Sequence, residues 1–366
     1  MSAATPSGAP KRAVRTDIQL LRGLAAGIVA AYHLYSAFAV NIEGGVKLVW
    51  EWDRTAQMAV MLFFFISGFV MVISSRDLFG KAGARRIFWT RRLVRIMPPY
   101  WFASAALLFV YLVLFPRPVD WHSLGLSLVL VPHVSDPERL LAVPFLWPGW
   151  TLFFEMLFYA LFGALIAFSR RFALWATGLL LAALVLVGTV LHQQDAQANI
   201  VFWTATRPVL LVFGLGIGLG ALSETGWQLS PWLRWLVAFG AVAVWIWVPR
   251  PAEIEALGFD YLAWAALPAV LFAIAIVSGP LPIPWPRMIN TLGDISYGVY
   301  LLHVPVAWGW LWFYWRLPFF DPGTYDYFLT ALIATFVVSY CVFVWIERPM
   351  TRWLNARLTP AAAPAA

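Results

Sequence analysis

Charge is scarce in this sequence. Only 12% of its 366 residues are Asp, Glu, Lys or Arg, against about 25% in soluble domains. That scarcity excludes an ordinary water-soluble enzyme, and no polar run is long enough to make even one soluble domain. Cysteine is nearly absent too. Cys341 stands alone, so no intrachain disulfide can form and the redox compartment is unreadable; in its apolar run it reads as packing. The sequence also lacks a Walker loop, a dinucleotide fingerprint, a CxxC and an HExxH. Nucleotide hydrolysis and zinc chemistry therefore have no support, and no metal site is expected. No repeat at a fixed period is visible and the two halves do not echo each other. That weakens a transporter built from internal repeats.

What the chain does have is apolar mass: 62% hydrophobic residues and 22 Trp. A membrane span needs about 20 mostly apolar residues. Spans are expected near 18–40, 55–75, 98–115, 149–168, 172–191, 204–222, 232–249, 261–278, 290–313 and 326–346. The fold class is thus an all-α integral membrane protein of about ten transmembrane helices around a polar cavity. The stretch 123–132 is too short to cross. The 204–222 span is the weakest, because it contains GLGIGLG. The net charge of +7 is no nucleic-acid signal, since the basic residues cluster beside spans. With the N-terminus inside, most of the 25 Lys and Arg residues fall in inner segments, which puts both termini in the cytoplasm. Residues 1–16 read as a disordered cytoplasmic tail, 17–350 as the transmembrane domain and 351–366 as a second cytoplasmic tail. The first apolar stretch, with Arg22 inside it, reads as a retained span and not a cleaved leader.

Arg22 and His33 share that first span, and a charge in a spanning helix marks a pair, a pathway or a reaction site. Eleven residues make about three turns and about 16 Å of axis, so both lie on one stripe. By the same measure His33, Glu155 of PGWTLFFEMLFY and His303 of ISYGVYLLHVP reach a similar depth on three helices. A carboxylate there needs a partner, and an imidazole oriented by a carboxylate is the layout of a general base. The alternative is that the three only hold helices together. Asp294 lies at about the depth of Arg22, so an Arg22–Asp294 pair is expected.

A basic cluster follows the second span. Arg85 and Arg86 fit a topogenic role. Arg92 and Arg95, at i and i+3 on one helical face beside Pro98 and Pro99, which interrupt the helix, suit a ligand phosphate. Ser67 and Gly68 of FFFISGFVM sit in mid-span two, where a missing side chain admits an acyl chain or a neighbouring helix. Trp150 and Tyr297 are the candidate substrate contacts. His122, His133 and His192 have no metal-ligand spacing.

In order along the chain, LRGLAAGIVAAYH, FFFISGFVM, RRLVRIMPPYW, WTLFFEMLFY, LGDISYGVYLLH and a closing IERP together resemble the membrane acyltransferase 3 family. These are bacterial O-acyltransferases of exopolysaccharide, O-antigen and related glycans. The resemblance implies ten core spans in the bacterial inner membrane, an acyl-CoA donor on the cytoplasmic side (acetyl-CoA the first choice) and a glycan or lipid-linked glycan acceptor reached from outside. It implies a catalytic role for His33, donor handling by Arg22, Arg92 and Arg95, and no permanently bound cofactor. Many relatives carry a soluble domain after the last span; this chain stops at Ala366 and looks like the stand-alone kind. The expected partners are acyl-CoA, the glycan and membrane lipid, with no nucleic acid. Acyl length, acceptor identity and oligomeric state are not readable. Two other readings compete: a proton-coupled transporter or flippase using Arg22, His33 and Glu155 as a relay, and a non-catalytic membrane partner of a polysaccharide assembly complex.

Overall fold

The computed structural model describes residues 15–41, 50–134, 142–191, 199–316 and 326–358, and among these there are helices and no strand. The expected N-terminal tail almost entirely, His192 and the last eight residues lie outside the described residues.

The helices are α1 (Thr16–Asn41), α2 (Trp50–Ser75), α3 (Ala84–Phe109, ending in a π turn), α4 (Trp121–Leu128), α5 (Trp150–Leu165), α6 (Arg170–Val190), α7 (Ile200–Ala205), α8 (Leu210–Ser223) and α9 (Pro231–Trp247). After these come α10 (Phe259–Tyr261), joined through a π turn to α11 (Leu267–Val277), then α12 (Pro286–Tyr314), α13 (Asp326–Val342) and α14 (Arg348–Leu358). Helix occurs at each of the ten expected places. By length and composition, 7 helical stretches among the described residues are long and apolar enough to cross a membrane. α1 and α12 have the length, at 26 and 29 residues, but Arg22 and His33 in one and Asp294, Ser296 and His303 in the other lower their mean hydropathy. α9 is apolar but shorter, at 17 residues.

Large apolar side chains such as Trp175, Trp235, Phe239 and Ile333 are exposed on α6, α9 and α13, the pattern of a protein whose solvent there is lipid. The interior is held by close helix approaches. α2 runs along α8, and a Cβ at Gly68 would come 2.1 Å from the Phe213 carbonyl oxygen, while one at Gly216 would come 2.2 Å from that of Phe65. So GLGIGLG and the SG of α2 form one small-residue seam. α1 packs along α12 in the same manner, with Gly293 against Gln19.

Three local expectations change. Pro98 and Pro99 do not interrupt a helix, since α3 runs through both from Ala84. Arg54, expected in an outer segment, lies inside α2 and is 1% exposed. Its guanidinium donates to the carbonyls of Val244, Trp245, Val248 and Trp264, at the end of α9, where helix carbonyls run out of intrahelical partners, and in the π turn. The expected tail from 351 begins as helix, because α14 continues to Leu358. The short α4 is capped by the Asp120 side chain, and its last carbonyls accept from Tyr100 and Trp101.

Candidate active site

α1 is the wall on which two cavities are built. Because Arg22 and His33 fall on one stripe of a continuous helix, they open toward the same side at two depths. The cavity nearer the N-terminal end of α1, called the inner one for that place, has a volume of about 100 Å³ and takes Arg22 from α1, Ser67 from α2, Arg92 and Arg95 from α3, and Glu155 and Tyr159 from α5. Ser296, Tyr297 and Tyr300 of α12 close it. The cavity further along α1, called the outer one, is about 130 Å³ and is lined by Tyr32 and His33 of α1, Gln57 of α2, and Trp147, Pro148 and Trp150 at the start of α5. Tyr300 is the one described residue that lines both. Its hydroxyl donates to the Pro148 carbonyl oxygen at 2.8 Å and lies 3.0 Å from the Thr151 hydroxyl. Its ring is therefore tied across the division, to one residue of each cavity.

In the inner cavity Glu155 Oε1 accepts from the Ser67 hydroxyl at 3.0 Å and from the Tyr159 hydroxyl. Arg92 donates from Nη2 to the Ser74 hydroxyl at 2.7 Å and stacks its guanidinium over Phe88 and Tyr159. Its Nε is buried with no hydrogen-bond partner. Arg95 makes no hydrogen bond or ion pair among the described residues. Arg22 donates to Gln19 Oε1 at 3.1 Å, and Gln19 Nε2 donates to Asp294 Oδ1 at 2.6 Å. The expected Arg22–Asp294 pair is thus a relay through an amide. Glu347 of the IERP motif has a buried Oε2 without a partner. The whole arrangement is a cationic pocket with spare donors, which suits an anion with several oxygens.

In the outer cavity the His33 ring stacks on that of His303, with centroids 5.2 Å apart and 9° between planes. Trp147 meets His33 edge to face at 4.2 Å. His303 is fully buried; its Nδ1 lies 3.2 Å from the Val299 carbonyl oxygen and its Nε2 has no partner. A backbone acceptor at Nδ1 fixes the proton there, so the bare Nε2 is a proton acceptor held beside His33.

The sequence-predicted site residues therefore divide. His33, His303 and Trp150 gather at the outer cavity; Arg22, Arg92, Arg95, Ser67, Glu155 and Tyr297 gather at the inner one. Glu155 reaches neither histidine, because Ser67 and Tyr159 hold it among the arginines. Tyr297 lines the inner cavity, and its hydroxyl donates to the Ile96 carbonyl oxygen at 3.0 Å. Gly68 faces α8 and not a cavity. Sequence reasoning missed Gln19, Tyr159, Tyr300 and Trp147. Tyr159 was findable as the i+4 neighbour of Glu155; the others carry no local signal.

Fold and site together define a helical membrane protein with an arginine-lined cavity next to a histidine-lined one. The comparisons agree with that class and narrow it: residues 15–344 match the family described as acyltransferase domain, and the chain belongs to it. The exopolysaccharide production protein ExoZ of Rhizobium meliloti (strain 1021) is 33% identical over 82% of this chain and 92% of its own length. The acyltransferase MdmB of Streptomyces mycarofaciens is 29% identical over 81% of this chain and 80% of its own. Nodulation protein 10 of Rhizobium leguminosarum bv. viciae is 23% identical over 85% and 89%. No solved structure matches the chain significantly. The protein is a membrane acyltransferase of the non-aminoacyl kind, which sets aside the transporter and the non-catalytic partner.

Proposed function

We propose that the protein moves an acyl group, acetyl in the first instance, from cytoplasmic acyl-CoA to a hydroxyl of a cell-surface glycan or its lipid-linked precursor. The observation that carries the proposal is the pair of cavities divided by Tyr300. Arg92, Arg95 and Arg22 offer the inner one to the donor's phosphates, and His33 offers the outer one to an acceptor hydroxyl. The name of the exopolysaccharide relative supports a glycan as acceptor. In the proposed topology all ten helical places cross the bacterial inner membrane, with both termini in the cytoplasm. The positive-inside bias and the exposed apolar helix faces support it.

In the reaction, the acceptor oxygen attacks the thioester carbonyl carbon. The new ester C–O bond forms as the C–S bond breaks, His33 takes the hydroxyl proton, and that proton leaves with the coenzyme A thiol. His303, stacked on His33 with a bare buried Nε2, holds the imidazole pair in place. Glu155, bound to Ser67 and Tyr159, balances the arginine charges.

Acetyl-CoA binding to detergent-purified protein tests the donor half. Saturable binding is expected, weakened about tenfold or more in Arg92→Ala, since a charge-assisted bond to phosphate contributes about 1.5–3 kcal/mol. Absence of binding, or equal binding in Arg92→Ala, would overturn it.

A further inference from the structure

The outer cavity carries polar groups that the proton transfer does not use. Tyr32 donates its hydroxyl to Asp53 Oδ1 at 3.3 Å, and Gln57 Nε2 reaches the same oxygen at 3.5 Å. The Tyr261 hydroxyl donates to Gln57 Oε1 at 2.9 Å. Arg250 closes the set from outside, 2.9 Å from Asp53 Oδ2. The Gln57 amide is thus fixed at both ends. One Nε2 hydrogen and one Oε1 lone pair remain, and the Tyr32 oxygen keeps acceptor capacity. Tyr32 and Gln57 line the cavity; Asp53 stands behind them with its charge matched by Arg250. The cavity therefore presents neutral donors and acceptors side by side, the pairing a hydroxyl needs, and no uncompensated cation for an anionic group.

The same cavity holds two indoles. Trp147 touches the His33 ring, and Trp150 lines the same cavity. An aromatic face accepts the C–H side of a sugar ring while the edge hydroxyls turn to polar groups. A ring laid on Trp147 has its hydroxyls beside His33.

We infer that the outer cavity is a subsite for one neutral pyranose, with Trp147 as the stacking face and Gln57 and Tyr32, braced by Asp53, gripping the hydroxyls beside the one that reacts. The inference rests on the reading of His33 as the acceptor-side group. Gln57 and Tyr32 are positioning residues for the acceptor, and they select against a carboxylated sugar at this position.

Two measurements test the inference separately from the donor. In the first, saturation-transfer NMR of the full-length protein in nanodiscs, without acyl-CoA, uses methyl β-glucopyranoside and methyl β-glucuronide as probes. The neutral glycoside should bind, the glucuronide should bind more weakly, and the glycoside signal should fall in Trp147→Ala and in the milder Gln57→Leu and Tyr32→Phe. In the second, acetyl transfer to the glycoside is followed by mass spectrometry. Gln57→Leu should raise the acceptor KM about tenfold, the size of one lost hydrogen bond, with a much smaller change in the acetyl-CoA KM. A general structural loss would move both constants together. The subsite is overturned if the wild-type protein does not bind the glycoside, if the glucuronide binds as well, or if Gln57→Leu and Tyr32→Phe leave acceptor KM unchanged. Glycoside binding without any acetyl-CoA binding would sink the donor reading and leave the subsite standing.

Discussion

Gln19 stands between a cation and an anion that do not touch. Its amide accepts from Arg22 and donates to Asp294, which no charge-pairing rule predicts from spacing. Gln19→Leu keeps the volume and removes both bonds. A half-buried guanidinium then loses an acceptor, at a cost of about 1–3 kcal/mol. Thermal unfolding in detergent should show a lower midpoint for Gln19→Leu; an unchanged midpoint would mean that the relay holds nothing. His33→Ala should behave oppositely. It should remove acyl transfer while acetyl-CoA binding survives, because the residue lies across Tyr300 from the arginines; residual full activity would end its role as base. Much at this scale was legible. Helical periodicity alone put Arg22 and His33 on one stripe, and the i, i+3 spacing put Arg92 and Arg95 together. The partner of Glu155 was not legible. Depth along an axis says how far a side chain lies from a surface, and not which way it turns about the helix, so equal depth did not bring Glu155 to the histidines.

At the scale of elements, helix positions were legible to within a turn or so at most ends, because long apolar runs announce themselves. The departures come from residues whose rule depends on context. Arg54 reads as the end of an outer loop until α9 and the π turn supply carbonyls for it. Pro98 and Pro99 read as a helix break, since each removes a donor and crowds the carbonyl four residues back, yet α3 continues past both. The seam between α2 and α8 allows a direct test. At Gly68 a methyl group would fall 2.1 Å from a backbone oxygen of α8, so the helices would have to part. Gly68→Ala should lower the yield of folded protein sharply, with a destabilisation of several times the ~1 kcal/mol that alanine normally gains over glycine in a helix. Ser67→Ala, one residue away, should fold normally and weaken donor binding through the freed Glu155. If Gly68→Ala folds like wild type and loses only donor binding, Gly68 faces the substrate after all.

At the scale of the whole molecule, the two cavities matter through what divides them. A thioester in water is exposed to hydrolysis, and the outer side of the membrane is water. On the proposed reading, an inner cavity that stays closed until an acceptor is present would protect the donor in the way that closed active sites exclude solvent. Tyr300 is placed to do this, since its ring borders both cavities and its hydroxyl is tied to Pro148 and Thr151. Tyr300→Phe keeps the ring and removes the ties; Tyr300→Ala removes the ring and joins the two spaces. Acetyl-CoA hydrolysis without acceptor should therefore rise several-fold in Tyr300→Ala and less in Tyr300→Phe, while transfer to the acceptor falls in the alanine variant because water competes. The measurement is release of free thiol from acetyl-CoA with and without acceptor, on protein reconstituted so that both faces are wet. Hydrolysis that is equally slow in all three proteins would show that the division lies elsewhere, and that His33 meets the donor without any movement of α12 against the start of α5.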